Sequence, residues 1–563
     1  MAKVVVKKKK KKLGSLGAGR GGPSSRETSD LRPRYTPKTP PCMDKCPNQT
    51  NIREIITTIS QSEGYGRSYD ESFEKAWKIL TEKNPIPASC GRVCPHPCES
   101  GCNRKEKDGS VGINNIERFI GDFGVEKGLK FEKLSDETYP EKISVIGSGP
   151  AGLSCAYQLV RKGYKVTIYE AFSKPGGMLR YGIPAYRLPH NVLDAEINKI
   201  VDFGVELKCN TIVGKDISYE ELQNNSDAIF VGIGAHKGKL LGVEGEDAPN
   251  VLTGTEFLNR VNSGEKLDVG KSVMVIGGGD TAIDAARIAL RLGAEATIVY
   301  RRTINEMPAI DEEIEEAKEE GVKMEFLSAP VGFIKDNGIA KGMKCIRMEL
   351  GEPDESGRRR PVPIEGSEFE VEADMVIAAI SQEPDFEGIE NLKAGPKDWV
   401  KADNMGITSI EKTYAGGDVL DLGLVTVAIF QGRMAAEAIH CNLRGTEFKP
   451  EEKLPVIAHD KMRLDLYEGK TRNEHDKLPV EQRFERLDKE VNLGFTQEQA
   501  IEESKRCMSC ASCFDCGNCW SYCQDQAVIK PLIKGEPYQF KLDFCQGCKK
   551  CAEECPCGYI EMI

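Results

Sequence analysis

Residues 506–523, RCMSCASCFDCGNCWSYC, hold six cysteines, and residues 545–556, CQGCKKCAEECP, hold four more. The runs Cys513, Cys516, Cys519, Cys523 and Cys545, Cys548, Cys551, Cys555 share the C-x2-C-x2-C-x3-C spacing of paired cubane iron–sulfur clusters, where the fourth cysteine of each run ligates the other cluster. The expected sets are therefore Cys513, Cys516, Cys519 with Cys555, and Cys545, Cys548, Cys551 with Cys523. Any single C-x2-C also suits zinc, but soft thiolates at this density, in two crossed runs, favour iron–sulfur. Cys507 and Cys510 belong to neither run.

A second chemistry is written in glycine. In KISVIGSGPAGLSCAYQLVRKGYKVTIYE, an apolar strand enters a tight turn of Gly147, Gly149, Pro150, Ala151 and Gly152, then a helix and a second strand ending at Glu170. Missing side chains in such a turn let a pyrophosphate approach the helix N-terminus, and the acid accepts ribose hydroxyls. A second copy, KSVMVIGGGDTAIDAARIALRLGAEATIVYRRT, carries Gly277, Gly279, Asp280, Thr281 and Ala282 in its turn. Its second strand ends in Arg301 and Arg302 where the first has an acid. Guanidinium groups there suit the 2′-phosphate of NADP(H), with NAD(H) open and a pair of solvated arginines as the plain alternative. A third fragment, TYAGGDVLDLGLVTVAIFQGRMAAEAI, delivers Gly417 and Asp418 before a helix opening near Thr426, as if to meet ribityl or pyrophosphate groups. Two nucleotide folds 130 residues apart, followed by this fragment, describe a flavin (FAD) site interrupted by a nicotinamide site.

The elements that must position these residues follow from texture. The predicted fold class is α/β: a helical N-terminal iron–sulfur domain, two nested Rossmann-like nucleotide-binding domains and a C-terminal ferredoxin-type domain. Boundaries fall at 1–40 for a disordered basic tail, 41–138 for the helical domain, 139–265 and 366–445 for the FAD domain and 266–365 for the NAD(P)H domain. A linker with a ligand-bearing helix end follows at 446–510, and the two-cluster domain at 511–563. The 563 residues are too many for one core. The 21 cysteines, with no apolar leader or cleavage site after the basic start, imply reduced thiols in a cytoplasmic protein. No window has the apolar run of a membrane span. Residues 1–40 hold twelve Lys or Arg against two acids, leaving −21 of the net −11 on the remainder, a body unsuited to nucleic acid.

The order GSGPAGLSCA, GGMLRYGIPAYRLP, GGGDTAIDAAR, VYRR and AGGD…GLVTVAIFQGRMAA resembles the glutamate synthase small-subunit family, including the N-terminal half of dihydropyrimidine dehydrogenase, over residues 41 to about 445. The resemblance implies that FAD takes hydride from NAD(P)H and hands single electrons to iron–sulfur clusters. It also implies that Gly176–Pro184, with Gly177 and Arg180, wall the flavin ring. Ser381 stands where the family carries glycine.

By the same resemblance the N-terminal domain holds two 4Fe-4S clusters. One takes Cys46, Cys94, Cys98 and Glu117, and the other keeps Cys42 and Cys102 but lacks two ligands. Family members supply those on an R-C-L-x-C segment before the position of Cys42, where this chain has YTPKTP. A comparable segment, EQAIEESKRCMSC, lies near the C-terminus. Cys507 and Cys510 are thus expected to fold back and complete the cluster begun by Cys42 and Cys102; free thiols, or a substituting Cys90, are the plain alternatives. Fifteen cysteines and Glu117 then supply sixteen ligands for four 4Fe-4S clusters. Cys155, Cys209, Cys345, Cys441 and Cys557 are left as ordinary thiols.

No side chain is demanded as a catalytic acid, base or nucleophile. The expected activity is an NAD(P)H:acceptor oxidoreductase, running in either direction with a redox protein or ferredoxin, as a homo-oligomer or a subunit of a larger complex. The SSRETSDLRP leader, GRVCPHPCE and the C-terminal runs together resemble the iron–sulfur flavoproteins serving dissimilatory sulfite reductase in sulfur metabolism. An electron-wiring or bifurcating subunit, or a glutamate synthase-type subunit, is the alternative.

Overall fold

The computed structural model of the protein describes residues 28–395, 398–450 and 452–563. They divide into two compact units: one formed by the residues up to Leu129 with Lys449–His475 and Gly494–Ile563, the other by Lys130–Phe448 with Asp476–Leu493.

The larger unit is built on two five-stranded parallel sheets. The first runs in the order Thr413–Ala415, Ala228–Val231, Lys142–Ile146, Lys165–Tyr169, Val205–Lys208. Its central strands are near-continuous apolar runs, as burial on both faces requires. Helix Pro150–Arg161 crosses helix Val425–Arg444 so closely that a Cβ on Gly432 would stand 2.1 Å from the Ala151 carbonyl oxygen. The second sheet runs Lys323–Phe326, Glu295–Tyr300, Ser272–Ile276, Met375–Ala378, Val251–Thr253. Its outer strand Val251–Thr253 and its strand Met375–Ala378 lie outside the expected 266–365, so the second nucleotide lobe reaches further in both directions. Val251–Thr253 is too short to show periodicity, and its end is marked only by Thr253, whose hydroxyl accepts the Glu256 amide at 3.3 Å.

Between Lys323–Phe326 and Met375–Ala378 of the second sheet the chain makes an antiparallel sheet of Ser328–Asp336, Ile339–Pro353, Arg359–Pro363 and Phe369–Glu372 that the parallel texture did not predict. Its first hairpin turns on Asn337-Gly338, both at positive φ, the conformation a tight hairpin demands.

In the smaller unit, helices Ile52–Ser60, Tyr69–Thr81, Pro87–Val93 and Ile113–Glu126 pack around Ile59, Phe73, Trp77 and Leu80. A Cβ on Gly121 would meet the Ala88 amide at 2.3 Å, so glycine sets that helix crossing. The expected disordered tail is corrected in part: Pro33–Tyr35 is a strand paired antiparallel with Ile560–Met562, an arrangement local composition cannot reveal. Residues 1–27 lie outside the described residues. The expected linker is likewise divided, with Lys449–His475 in the smaller unit and Asp476–Leu493 in the larger. Its one α-helix, Gln497–Ser504, opens on a capping box in which Thr496 and Gln499 exchange hydrogen bonds. Among the described residues no helix is long and apolar enough to cross a membrane.

Candidate functional site

In the first glycine turn, Gly147 (φ +97°) and Gly152 are held by packing: a Cβ on Gly147 would meet the Gly232 carbonyl oxygen at 2.4 Å, and one on Gly152 the Gly147 oxygen at 2.0 Å. Gly149 differs. It caps the helix that starts at Pro150, and the nearest atom to a Cβ there is the Gly177 Cα, 4.0 Å away. Gly149 and Gly177 thus meet at a backbone cradle that side chains would fill, beside the N-terminus of the helix. Glu170 is buried, its carboxylate accepting from the Ser148 amide (2.9 Å), the Ser148 hydroxyl and the Phe172 amide (2.9 Å). These bonds fix it beneath the turn.

Arg180 is 2% exposed; its Nε donates to the Pro175 carbonyl, its Nη2 pairs with Asp194, and its Nη1 is buried without a partner. The Thr426 hydroxyl, at the start of helix Val425–Arg444, is likewise buried and unpartnered. Two such orphans and an open glycine cradle fit a large polar ligand such as FAD. Gly417 (φ +82°) donates its amide to Gln431, and Asp418 accepts from the Gly423 amide at 3.0 Å. Burial, with Asp421 nearby, pushes the Asp418 carboxyl up to about 6.

The second turn repeats the pattern. A Cβ on Gly277 would meet the Ala379 oxygen at 2.3 Å, while Gly279 is open, with Pro308 Cγ nearest at 3.9 Å. Asp280 begins helix Asp280–Arg291 and accepts the Ile310 amide at 3.0 Å; Thr281 packs against Gly254, and Ala282 is fully buried. The two arginines are not equivalent. Arg302 is buried, paired with Asp354 at 2.6 Å and donating to the Arg359 carbonyl at 2.7 Å, whereas Arg301 is exposed. Of the two guanidinium groups expected at a phosphate, Arg302 is thus engaged within the protein and Arg301 faces outward.

The cysteines stand around hollows. Cys42, Cys102, Cys507 and Cys510 line one of about 400 Å³, walled by Pro41, Ile52, Ile56 and Met508. Asn103 Nδ2 lies 3.8 Å from the Cys510 sulfur, and Arg53 Nη1 donates to the Cys510 carbonyl at 3.0 Å. Burial pushes the Cys507 thiol up to about 11, and burial with the neighbouring thiols pushes Cys42 and Cys510 upward. The backbone bringing Cys507 and Cys510 here is fastened by Arg506. Its guanidinium is wholly buried, pairs with Glu503 (2.6 Å) and Asp108 (3.1 Å), and donates to the carbonyls of Lys470, Asp108, Gly109 and Ser110.

A second hollow, of about 350 Å³, is lined by Cys513, Cys516, Cys519 and Cys555 with Tyr35, Tyr538 and Cys557. Cys557, read from sequence as an ordinary thiol, lies with its sulfur 3.8 Å from that of Cys555, and its thiol holds Cys555 below the ordinary thiol range. Burial, with Cys545, Cys548 and Cys523 near it, pushes the Cys551 thiol up to about 12. Burial, with Glu99, Cys46, Cys94 and Glu117 near it, pushes Cys98 upward. Glu117 accepts from Asn84 Nδ2 at 2.8 Å, and burial raises its carboxyl to about 7. Cys90, which sequence reasoning set aside, is fully buried and hydrogen-bonded to both Cys94 and Glu117. Among the described residues no three such side chains converge closely enough to hold a single ion. The set of Cys42, Cys102, Cys507 and Cys510 and the set of Cys513, Cys516, Cys519 and Cys555 each enclose a space, as a group of several atoms requires.

Residues 141–432 match the model of the pyridine nucleotide-disulphide oxidoreductases, and residues 35–129 match dihydropyrimidine dehydrogenase domain II, 4Fe-4S cluster. The chain belongs to the pyridine nucleotide-disulphide oxidoreductase family. Its similarity to the NADPH-Fe(3+) oxidoreductase subunit beta of Geobacter sulfurreducens is 39% identity, covering 84% of this chain and 75% of that one. The NADP(+)-dependent formate dehydrogenase subunit beta of Moorella thermoacetica is 36% identical, with 84% and 70% covered. The glutamate synthase [NADPH] small chain of Escherichia coli is 36% identical, with 71% and 88% covered. This member of the family is therefore an oxidoreductase with a pyridine nucleotide fold and an iron–sulfur domain, of the glutamate synthase small-chain type.

What sequence reasoning passed over in this oxidoreductase is the company its sites keep. Asn84, which holds Glu117, sits in no motif, in the connection between helices Tyr69–Thr81 and Pro87–Val93, where nothing local marks it as buried. Cys557 was visible as the second cysteine of CPCGY, one step outside a pattern that looked complete.

Proposed function

We propose that this oxidoreductase moves electrons between NADP(H) and a redox protein, using FAD and four 4Fe-4S clusters. FAD, when bound, exchanges a hydride with the nicotinamide and releases its electrons singly. The protein's part is to bind and to position. The cradle of Gly149 and Gly177 admits the pyrophosphate, Arg180 Nη1 and the Thr426 hydroxyl offer polar contacts, and Arg301 meets the 2′-phosphate. The names of the relatives favour NADP over NAD. The proposed cluster ligands are Cys46, Cys94, Cys98 and Glu117; Cys42, Cys102, Cys507 and Cys510; Cys513, Cys516, Cys519 and Cys555; and Cys523, Cys545, Cys548 and Cys551.

The observation that carries this reading is the hollow in which two cysteines from each end of the chain stand together, matching the two ligands missing from the N-terminal pattern. The test is iron content and dye reduction. Purified protein should reduce a viologen with NADPH, and Cys507→Ser with Cys510→Ser should lower iron by about one cubane. Absence of dye reduction with either nicotinamide, or unchanged iron in the double variant, counts against it.

The chain further reads as one subunit of a larger assembly, as two relatives' names describe those proteins. Its leader, GRVCPHPCE and paired C-terminal runs favour a dissimilatory sulfite reductase as partner. Co-purification from the native host tests this, and recovery of a stable complex without that enzyme rejects it.

A further inference from the structure

Resting on that reading, the structure carries a second question: how electrons pass from the cysteine sets of the N-terminal helices to those of the C-terminal runs. Within each pair, neighbouring sets are joined through helix. Cys42 and Cys46, and Cys98 and Cys102, lie four residues apart at helices Pro41–Lys45 and Pro97–Ser100. Cys519 and Cys523, and Cys551 and Cys555, do the same at Asn518–Ser521 and Lys550–Glu553. Four residues of helix rise only about 6 Å.

Between the pairs the link is different. Cys510 lines the first hollow and Cys513 the second, and they lie three positions apart in the chain. Even fully extended that is at most about 11 Å between Cα atoms. The connection is sealed by an apolar cluster of Ile457, Met462, Tyr467, Met508 and Ala511, with Leu464, Cys510 and Phe514 packed on it. Tyr467 stands at its centre. It shares that cluster with Met508 and Cys510, which line the first hollow, and with Phe514, which lines the second. Its ring centroid lies 6.0 Å from that of Phe514, and its hydroxyl donates to the Met508 carbonyl at 2.7 Å, between Cys507 and Cys510.

We infer that the Cys510–Cys513 junction is the electron passage between the two pairs of sets, and that Tyr467 is the positioning residue that holds it short and dry. One electron leaves the group held by Cys42, Cys102, Cys507 and Cys510, which is oxidised, and enters the group held by Cys513, Cys516, Cys519 and Cys555, which is reduced. No bond or proton changes place, and NADPH is the reductant. Tunnelling weakens steeply with distance and with a water-filled gap, so the ring against Phe514 bears on its rate.

The test uses the full chain reduced by NADPH. Wild type should show magnetic interaction between the two groups in the EPR spectrum of the fully reduced protein. In rapid mixing, flavin reduction should precede reduction of the C-terminal pair. Tyr467→Ala should lose the interaction and delay the second phase, with flavin reduction and iron content unchanged, and Tyr467→Phe, which keeps the ring, should retain both signals. If Tyr467→Ala loses iron, Tyr467→Leu, which keeps apolar volume without the ring, is read by the same criteria. Wild-type behaviour in the Ala or Leu variant at full iron overturns the inference, as does equal loss in Tyr467→Phe. Unchanged iron in the Cys507, Cys510 double variant would instead overturn the reading on which it rests.

Discussion

The nucleotide turns and the cysteine hollows are made in opposite ways. Each turn is one contiguous stretch of strand, glycines and helix, and its open position, Gly149 or Gly279, is supplied by the same few residues that shape the turn. The hollow of Cys42, Cys102, Cys507 and Cys510 takes its walls from segments some four hundred residues apart in the chain. A contiguous site is carried by local backbone and persists wherever its strand and helix form. An assembled site exists only while separate segments are held together, so its binding energy and the unit's folding energy are the same quantity.

The largest expected effect follows at Arg506. Its guanidinium pairs with Glu503 and Asp108 and gathers four carbonyls, all buried. Arg506→Met leaves the Glu503 carboxylate with only the Gly112 and Asn473 donors, and removing one partner of a buried pair costs about 3–5 kcal/mol. Thermal unfolding should show that loss together with a fall in bound iron. Arg506→Lys should recover little, since an ammonium cannot serve six acceptors in one plane. Full iron in a destabilised Arg506→Met protein would erase the contrast between assembled and contiguous sites.

The same contrast explains what was legible beforehand. Both glycine turns were readable because strand, turn and helix occur in sequence order. The crossed C-terminal runs were readable because their spacing is fixed by the geometry of a cubane. The meeting of Cys507 and Cys510 with Cys42 and Cys102 could be reached only by matching unmet ligands to surplus ones. Nothing local in SSRETSDLRPRY says that Pro33–Tyr35 pairs with Ile560–Met562, because strand pairing is a property of two segments. The partner of Arg302 was hidden for a related reason: the arginine's position in the motif marked it for phosphate, but Asp354 is supplied by an antiparallel excursion more than fifty residues on.

Within the contiguous class, the two kinds of glycine should separate cleanly. Gly152→Ala puts a Cβ against the Gly147 oxygen, and overpacking of that kind costs about 1–3 kcal/mol. Gly149→Val meets open space, so it should unfold at the wild-type temperature yet purify without flavin absorbance. A Gly149→Val protein that keeps its flavin would show that the cradle is not the pyrophosphate site.

The arginines test the same division on the second turn. Arg301→Ala should lower the preference for NADPH over NADH in kcat/KM by about tenfold or more, the worth of a charged hydrogen bond. Arg302→Ala should leave that ratio alone and lower stability instead, because it strips Asp354 of its partner. If Arg302→Ala changes the ratio and Arg301→Ala does not, the roles given to the two side chains are reversed.

The last effect is a pH dependence at Asp418, where a contiguous turn buries a carboxyl of its own. Burial raises its carboxyl to about 6 from an ordinary 3.8, so between those values the folded chain holds a proton that the unfolded chain has released. Stability contributed by this group is therefore present below about pH 4 and lost as pH rises through about 6. Asp418→Asn, which carries no charge to desolvate, should gain about 3 kcal/mol over wild type at pH 7 and almost nothing at pH 4. Thermal unfolding of the flavin-free protein at the two pH values checks this. An equal gain at both would mean that the substitution acts through packing, and that the charge at this turn is already relieved by the Gly423 amide.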